Sequence, residues 1–308
     1  MQIKDFLKRL LPLPTKWAIM QNQQLMSKLD EIERNFEELK QHQEIMNAQA
    51  IKNHDFSKKR FAFFESMIEE IYDTTVENKK ICPICLNEVR VFLPFEIDGK
   101  LRKNAHCPYC FCAERQRFLW CYLKEHTNYL SDERQEIIKI LHFAPEKGLY
   151  DKFSVKSNIN YYPVDINPLC KRITNVVDIQ DMQYEDNTFD VIICNHVLEH
   201  VPNDYIAIKE LIRVLKKGGE AYITAPVFGS LEKTIENNPM HNTPESRQQF
   251  YGQHDHLRKY GRDFPHRLRG TGFKVTTIKP NKIFTNDEMT LYCIKDTIYD
   301  YIYKCTTL

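Results

Sequence analysis

The chain has 308 residues, more than an ordinary single domain of roughly 100 to 200 residues, so one main domain with appendages is expected. Lysine and arginine (43) nearly balance aspartate and glutamate (42), which gives no general drive towards nucleic acid or an anionic surface. No apolar run reaches the roughly 20 residues that span a bilayer, and no signal-peptide pattern opens the chain, so a cytoplasmic protein is expected.

From Met1 to Leu11, the apolar residues Ile3, Phe6, Leu7, Leu10 and Leu11 share one helical face, with Lys4, Lys8 and Arg9 elsewhere, and Pro12 and Pro14 end the run. Residues 1–19 therefore read as a basic amphipathic helix, docked on its own protein or laid peripherally on the inner membrane face. Residues 20–78 read as a further helical segment. Leu25, Leu29, Ile32, Phe36 and Leu39 alternate in steps of four and three, and roughly three heptads of this kind predict a coiled coil and a homo-oligomer. A long helix packed on the same subunit is the alternative.

Residues 79–127 differ sharply in composition. Cys82-Pro-Ile-Cys85 and Cys107-Pro-Tyr-Cys110 are two Cys-x-x-Cys knuckles with 21 residues between them. Each knuckle can turn two thiolates towards one point, and four complete the tetrahedron of a zinc-ribbon-like lobe. Ten cysteines in a reducing compartment fit metal better than a disulfide framework. A closed four-sulfur site has no open position, so Cys82, Cys85, Cys107 and Cys110 are expected to hold structural zinc. His106 and Cys112 are nearby substitutes.

Residues 132–300 alternate apolar runs of strand length with helical patterns, as in an α/β fold. Strands are predicted at Ile137–Phe143, Tyr161–Asp165, Val176–Ile179, Asp190–Asn195, Glu220–Pro226, Phe273–Ile278 and Thr290–Lys295. Together they form a doubly wound, seven-stranded Rossmann-like sheet, preceded by the zinc-ribbon-like lobe and the N-terminal helical segment. Ligands of such sheets bind beyond the carboxyl ends of the strands, where Asp165, Asp178, Asn195 and His196 fall.

The segments Leu141-His-Phe-Ala-Pro-Glu146, Asn195-His-Val-Leu-Glu-His-Val201 and Gly252-Gln-His-Asp-His-Leu-Arg-Lys-Tyr-Gly261 carry a family resemblance. This part of the chain resembles the class I S-adenosylmethionine-dependent methyltransferases of type 11. It is closest to a bacterial subgroup with a Cys-Pro-x-Cys lobe ahead of the domain. The resemblance covers roughly Leu141 to Val275 and implies a last strand running antiparallel. It also implies a cofactor site formed by His142, Phe143, Ala144, Glu146, Gly148, Asp165, Ile166, Asp178, Ile179 and Asn195. Asp165 would face the ribose hydroxyls and Asp178 the adenine amino group. His142, Ala144 and Glu146 stand where the family has an acid and two of its three glycines.

The polar insertion 228–262 is expected to form a substrate lid. Methyl transfer to a hydroxyl needs alignment and a base, and His256 is the first choice for that base because histidine titrates near neutral pH. Asp255 would orient it, His254 and His196 are reserves, Arg258 could hold an anionic group of the acceptor, and His200 is read as structural. The expected function is methylation of a small-molecule or glycan acceptor, at a sugar hydroxyl. An RNA base methyltransferase is the alternative, with Lys100, Arg102, Lys103, Arg115 and Arg117 as its patch, although the charge balance argues against nucleic acid. A non-catalytic coiled-coil scaffold is the third reading.

Overall fold

The structure is a computed structural model that describes residues 80–89, 91–97, 100–236 and 238–307. The expected amphipathic helix of residues 1–19 and the coiled-coil segment of residues 20–78 lie outside the described residues.

Two small antiparallel hairpins open the described chain. β1 (Lys80–Ile81) pairs with β2 (Glu88–Val89), and β3 (Leu93–Ile97) pairs with β4 (Lys100–His106). Helix α1 (Glu114–His126) follows, and the side-chain oxygen of Gln116 accepts the Ala113 N–H at 2.7 Å, satisfying one of the donors that a helix start leaves open. Beyond it come β5 (Ile138–Phe143), α2 (Lys147–Phe153), β6 (Ile159–Asp165), β7 (Asn175–Val176), β8 (Phe189–Asn195), α3 (Asp204–Val214) and β9 (Leu215–Thr224). The remainder comprises β10 (Ile235–Glu236), α4 (Pro244–Tyr251), β11 (Arg258–Lys259), α5 (Phe264–Gly270), β12 (Lys274–Ile278), α6 (Asn286–Tyr292) and β13 (Ile302–Thr306).

Seven of these strands form one sheet in the order β12-β13-β9-β8-β5-β6-β7. β5 is parallel to β6 and β8, and β8 is parallel to β9, whereas β13 is antiparallel to both of its neighbours. The chain winds outwards from β5 in one direction and from β8 in the other, so a topological switch point lies between those two strands.

The last strand is not where the sequence pattern put it. Residues 286–292 are helical because Thr285 and Glu288 form a capping box, each side chain accepting the other's backbone N–H. Cys293, with φ 47°, then ends the helix. The apolar stretch from Leu291 to Ile294 is too short for periodicity to separate helix from strand. β13 fills the gap between β9 and β12 instead, so the α/β unit extends beyond residue 300.

The central strands alternate their side chains between two cores. Val191 and Ile193 enter one cluster and Ile192 and Cys194 the other, as the period of two demands. The first cluster also contains Cys82, Ile84, Cys107, Phe118, Leu119 and Trp120. The cysteine lobe and α1 therefore form part of a layer over the sheet and share its core. Arg117 strengthens this junction: it is fully buried and donates to the carbonyls of Ala105, Cys112, Tyr292 and Cys293 at 2.7–2.9 Å.

Residues 228–262 form a cap in which β10 pairs with β11 and α4 lies between them in sequence. A buried ionic network anchors it. Arg267 makes two bonds of 2.6 Å to the Asp204 carboxylate and one of 2.7 Å to Glu236, to which Arg258 also donates. At Gly261 an added Cβ would lie 2.6 Å from the Lys233 carbonyl carbon, so only glycine lets these two backbone segments pass. Among the described residues, no helix is long and apolar enough to cross a membrane.

Candidate functional site

The carboxyl ends of the parallel strands define one edge of the sheet. After β5, Ala144 turns in the left-handed region at φ 47°, a conformation that brings backbone rather than side chain to the edge. β6 ends at the half-buried Asp165, whose Oδ1 accepts the Asn167 N–H at 2.9 Å, and Ile166 beyond it is 65 % exposed. Asp178 follows β7 and accepts the Gln180 N–H at 2.8 Å. β8 ends at Asn195, whose Oδ1 accepts from Thr224 at 3.2 Å while its side-chain nitrogen is buried without a partner. A buried amide donor left open at a strand tip calls for a ligand. Two half-buried carboxylates near it, with an exposed apolar side chain, suit a nucleoside with hydroxyl and amino groups on an apolar base.

Past Asn195 the chain makes a tight turn through His196, at φ 51°, into a short 3-10 turn at Leu198–His200. Glu199 is fully buried, and neither of its carboxylate oxygens has a hydrogen-bond partner. Burial raises its carboxyl to about 7. His196 Nδ1 lies 3.5 Å from Glu199 Oε1, and burial pushes the His196 ring well below its ordinary value. The cap delivers the remaining members. Leu257 N–H donates to the Glu199 carbonyl at 2.9 Å, and the His256 ring meets the His200 ring edge to face at 4.7 Å. His200 Nδ1 pairs with Asp255 at 3.2 Å. Burial, reinforced by the neighbouring His200, lowers His256 to about 4. Burial would raise Asp255, but the hydrogen bond and charge of His200 overrule it and hold the carboxyl at about 2.

Residues 153–223 match the family described as Methyltransferase domain. The seven-stranded sheet with its flanking helices has a Rossmann-like methyltransferase fold. Among solved structures, the chain is similar to an S-adenosylmethionine-dependent methyltransferase from Archaeoglobus fulgidus, at 17 % identity over 62 % of this chain and 93 % of that one, with a TM-score of 0.40. It is also similar to phosphoethanolamine N-methyltransferase 2 of Haemonchus contortus in complex with S-adenosyl-L-methionine, at 14 % identity over 57 % and 50 % of the two chains, with a TM-score of 0.39. The [4+2]-cyclase SpnF matches at 14 % identity over 56 % and 76 %, with a TM-score of 0.36. No curated protein matches the chain.

Within the α/β unit, several of the residues expected to hold a cofactor are engaged by other groups of the protein. His142 is completely buried, with Nδ1 at 2.8 Å from the Tyr161 hydroxyl and Nε2 at 2.9 Å from Glu146, so neither nitrogen is open to a nucleoside. Glu146 is engaged on its other oxygen by Gln116 at 3.1 Å. Together with the Gln116 bond to Ala113, this makes a chain of hydrogen bonds from the cysteine lobe through α1 to the loop after β5. Gly148 faces the lobe as well, because a Cβ there would lie 3.3 Å from Cys112 and 3.4 Å from Ile84. Phe143 and Ile179 belong to the core. Ala144, Asp165, Ile166, Asp178 and Asn195 stay at the strand edge.

On the acceptor side, Asp255 is paired with His200 rather than with His256, and His254 is largely exposed, 4.0 Å from Asp255. Arg258 is not free to bind an anion: it is buried and donates to the carbonyls of Leu198, Val201 and Pro202 at 2.5–3.0 Å. The sequence reading missed Glu199 and set His200 aside as structural. Both lie in a turn whose spacing says nothing about which side chains lack partners. Arg115, assigned to a surface patch, turns inward instead: its charge acts on Glu146, His196 and Glu199, and its Nε is buried without a partner.

The four knuckle cysteines converge, with all four sulfurs within 4.8 Å of one another. Cys82 and Cys110, and likewise Cys85 and Cys107, are 3.7 Å apart, close to the ~3.8 Å edge of a tetrahedron with Zn–S bonds of about 2.3 Å. The knuckles repeat one another in the backbone, for Leu86 and Phe111, each one past the second cysteine, have φ of 64° and 58°. The donor set fits zinc. Cys112 Sγ is 3.4 Å from Cys82 as a fifth thiol, and His106 is held at about 4 by burial first and the Arg115 charge next.

Proposed function

We propose that the protein is an S-adenosylmethionine-dependent methyltransferase acting on a hydroxyl of a small polar acceptor, of the sugar or glycan class that the subgroup resemblance implies. The observation that carries this reading is Glu199, a buried carboxylate with no hydrogen-bond partner in the turn that follows β8. When bound, S-adenosylmethionine supplies a methyl group on a sulfonium that an acceptor oxygen displaces in line.

The residues divide the remaining work. Asp165 and Asp178 accept hydroxyl and amino protons of the adenosyl part, Ile166 covers its base, and the unpartnered Asn195 amide donates from below. Arg115 faces the site from α1 and would hold a carboxylate. Glu199 takes the proton of the acceptor hydroxyl. A carboxyl raised to about 7 is better matched to that task than His256, which at about 4 stays neutral and is a weak base. This reassigns the base from His256 to Glu199 and leaves His256 and His196 as neutral rings that position the acceptor.

The RNA reading is weakened at three of the five residues of its patch. Arg102 is paired with Glu114 and Asp300, Arg117 is buried among carbonyls, and Arg115 faces inward. The deciding experiment is transfer of labelled methyl from S-adenosylmethionine into a fractionated cell lysate. Label is expected in carbohydrate or a small metabolite, and label in RNA would overturn the acceptor class.

A further inference from the structure

We infer that Glu199, His200 and His256 bind one divalent first-row transition-metal cation at the acceptor side of the site. One ligand atom from each of the three lies within 4.8 Å of the others. Three nitrogen and oxygen ligands spread evenly at about 2.0–2.2 Å around one ion stand no more than about 3.8 Å apart, so closure needs up to about an ångström of side-chain movement. Among the described residues, this is the one such group besides the four knuckle cysteines.

Three independent features of these side chains point to a cation. The Glu199 carboxylate is fully buried, neither oxygen has a hydrogen-bond partner, and the His196 ring 3.5 Å from Oε1 is kept neutral by burial, an arrangement that is unfavourable for a charge and that a cation would relieve. The histidines are already set as ligands. His256 Nδ1 is 3.2 Å from the Tyr251 carbonyl, and that contact requires the proton on Nδ1 and leaves Nε2 with its lone pair. His200 Nδ1 is 3.2 Å from Asp255, so its Nε2 is likewise the nitrogen left for a metal. A carbonyl and a carboxylate behind two imidazoles are the outer partners that orient metal-binding histidines.

The chemistry of the set selects the ion. Two imidazoles and one carboxylate suit manganese, iron, cobalt, nickel or zinc better than magnesium or calcium, which prefer oxygen ligands alone. Three protein ligands leave positions open, unlike the closed four-sulfur site in the lobe. The inference thus deepens the methyltransferase reading. A cation held there would lower the proton affinity of the acceptor hydroxyl oxygen, and with Glu199 engaged as a ligand the hydroxyl proton would pass to solvent water instead of to Glu199.

The test is a titration of the full-length protein, purified without chelator, with Mn²⁺ alone, reading the electron paramagnetic resonance signal of the free ion. Mn²⁺ is chosen because thiolates compete poorly for it. Wild type is expected to remove about one Mn²⁺ per chain, Glu199→Gln and His256→Ala to weaken binding at least ~100-fold, and Asp255→Asn to weaken it ~10–100-fold. Calorimetry with S-adenosylhomocysteine on the same samples reports an intact cofactor site. Wild type that binds the nucleoside but no Mn²⁺ overturns the cation site and leaves the methyltransferase reading standing. Mn²⁺ binding without nucleoside binding does the reverse. Equal Mn²⁺ affinity in wild type and Glu199→Gln also overturns the site.

Discussion

Among the described residues, potential metal ligands gather in two places, and the two are built on opposite principles. In the lobe, four sulfurs converge at the spacing of a filled tetrahedron, and the backbone of each knuckle repeats the other. At the strand edge, Glu199, His200 and His256 come from two segments some fifty residues apart in sequence, and the carboxylate accepts no hydrogen bond. The first arrangement satisfies every donor locally and can only hold structure together. The second leaves buried polar atoms without hydrogen bonds. A closed site stabilises and an open one reacts, and the difference lies in unsatisfied atoms rather than in residue type.

The largest effect should come from the closed site. Because the lobe shares its core with the sheet, stripping metal with a thiol-directed chelator, or Cys107→Ser, is expected to lower Tm by roughly 10 °C or more and to loosen the loop after β5. Unchanged calorimetric unfolding after complete removal of zinc would erase the contrast.

The open site should respond in turnover instead. Glu199→Gln is expected to reduce methyl transfer ~100- to 10,000-fold while S-adenosylhomocysteine affinity stays within about twofold. Asp165→Ala should show the complementary pattern, weakening the nucleoside by ~10- to 100-fold as a charged hydrogen-bond acceptor is lost. Isothermal calorimetry separates the two, and equal loss of nucleoside affinity in both variants would merge cofactor and acceptor roles.

Stability against pH sharpens the comparison further. The Glu199 carboxyl is raised from its ordinary 4.5 to about 7 in the folded protein, so its contribution is intact at low pH and is lost as pH rises through about 7. With one pKa unit worth about 1.4 kcal/mol, the loss at alkaline pH is on the order of 3 kcal/mol. Without added divalent cation, Glu199→Gln should therefore melt higher than wild type at pH 8 and level with it at pH 4. The smallest effect is expected from Gly148→Ala, whose methyl would press on Cys112 and Ile84 at 3.3–3.4 Å. A fall of a few degrees in Tm, followed by differential scanning calorimetry, would show that the lobe and the cofactor loop are packed to contact.

The sheet was largely legible because its central strands are continuous apolar runs bounded by turns, and β5, β6, β8, β9 and β12 fall within a few residues of their expected positions. The last strand was not, since a capping box at Thr285 and Glu288 outweighs a short apolar alternation. The cofactor edge was legible in part. Asp165, Asp178 and Asn195 sit at or just beyond strand ends, which periodicity marks, whereas His142 and Gly148 turn away towards the interior and the lobe. The acceptor cluster was half legible: His256 and Asp255 stand out by composition, but their pairing does not, and Asp255 serves His200.

Sequence alone determined the knuckles, the alternation of strands and helices, and the order of polar strand ends, because each depends on spacing along a few consecutive residues. Tertiary structure decided everything that depends on partners. It placed β13 between β9 and β12, joined the lobe to the sheet through Arg117 and Gln116, engaged Arg258 with backbone carbonyls, and left Glu199 buried and unpaired. The physical reason is that a side chain's charge, proton affinity and capacity to bind a metal are set by what surrounds it, and those surroundings come from segments far apart in the chain.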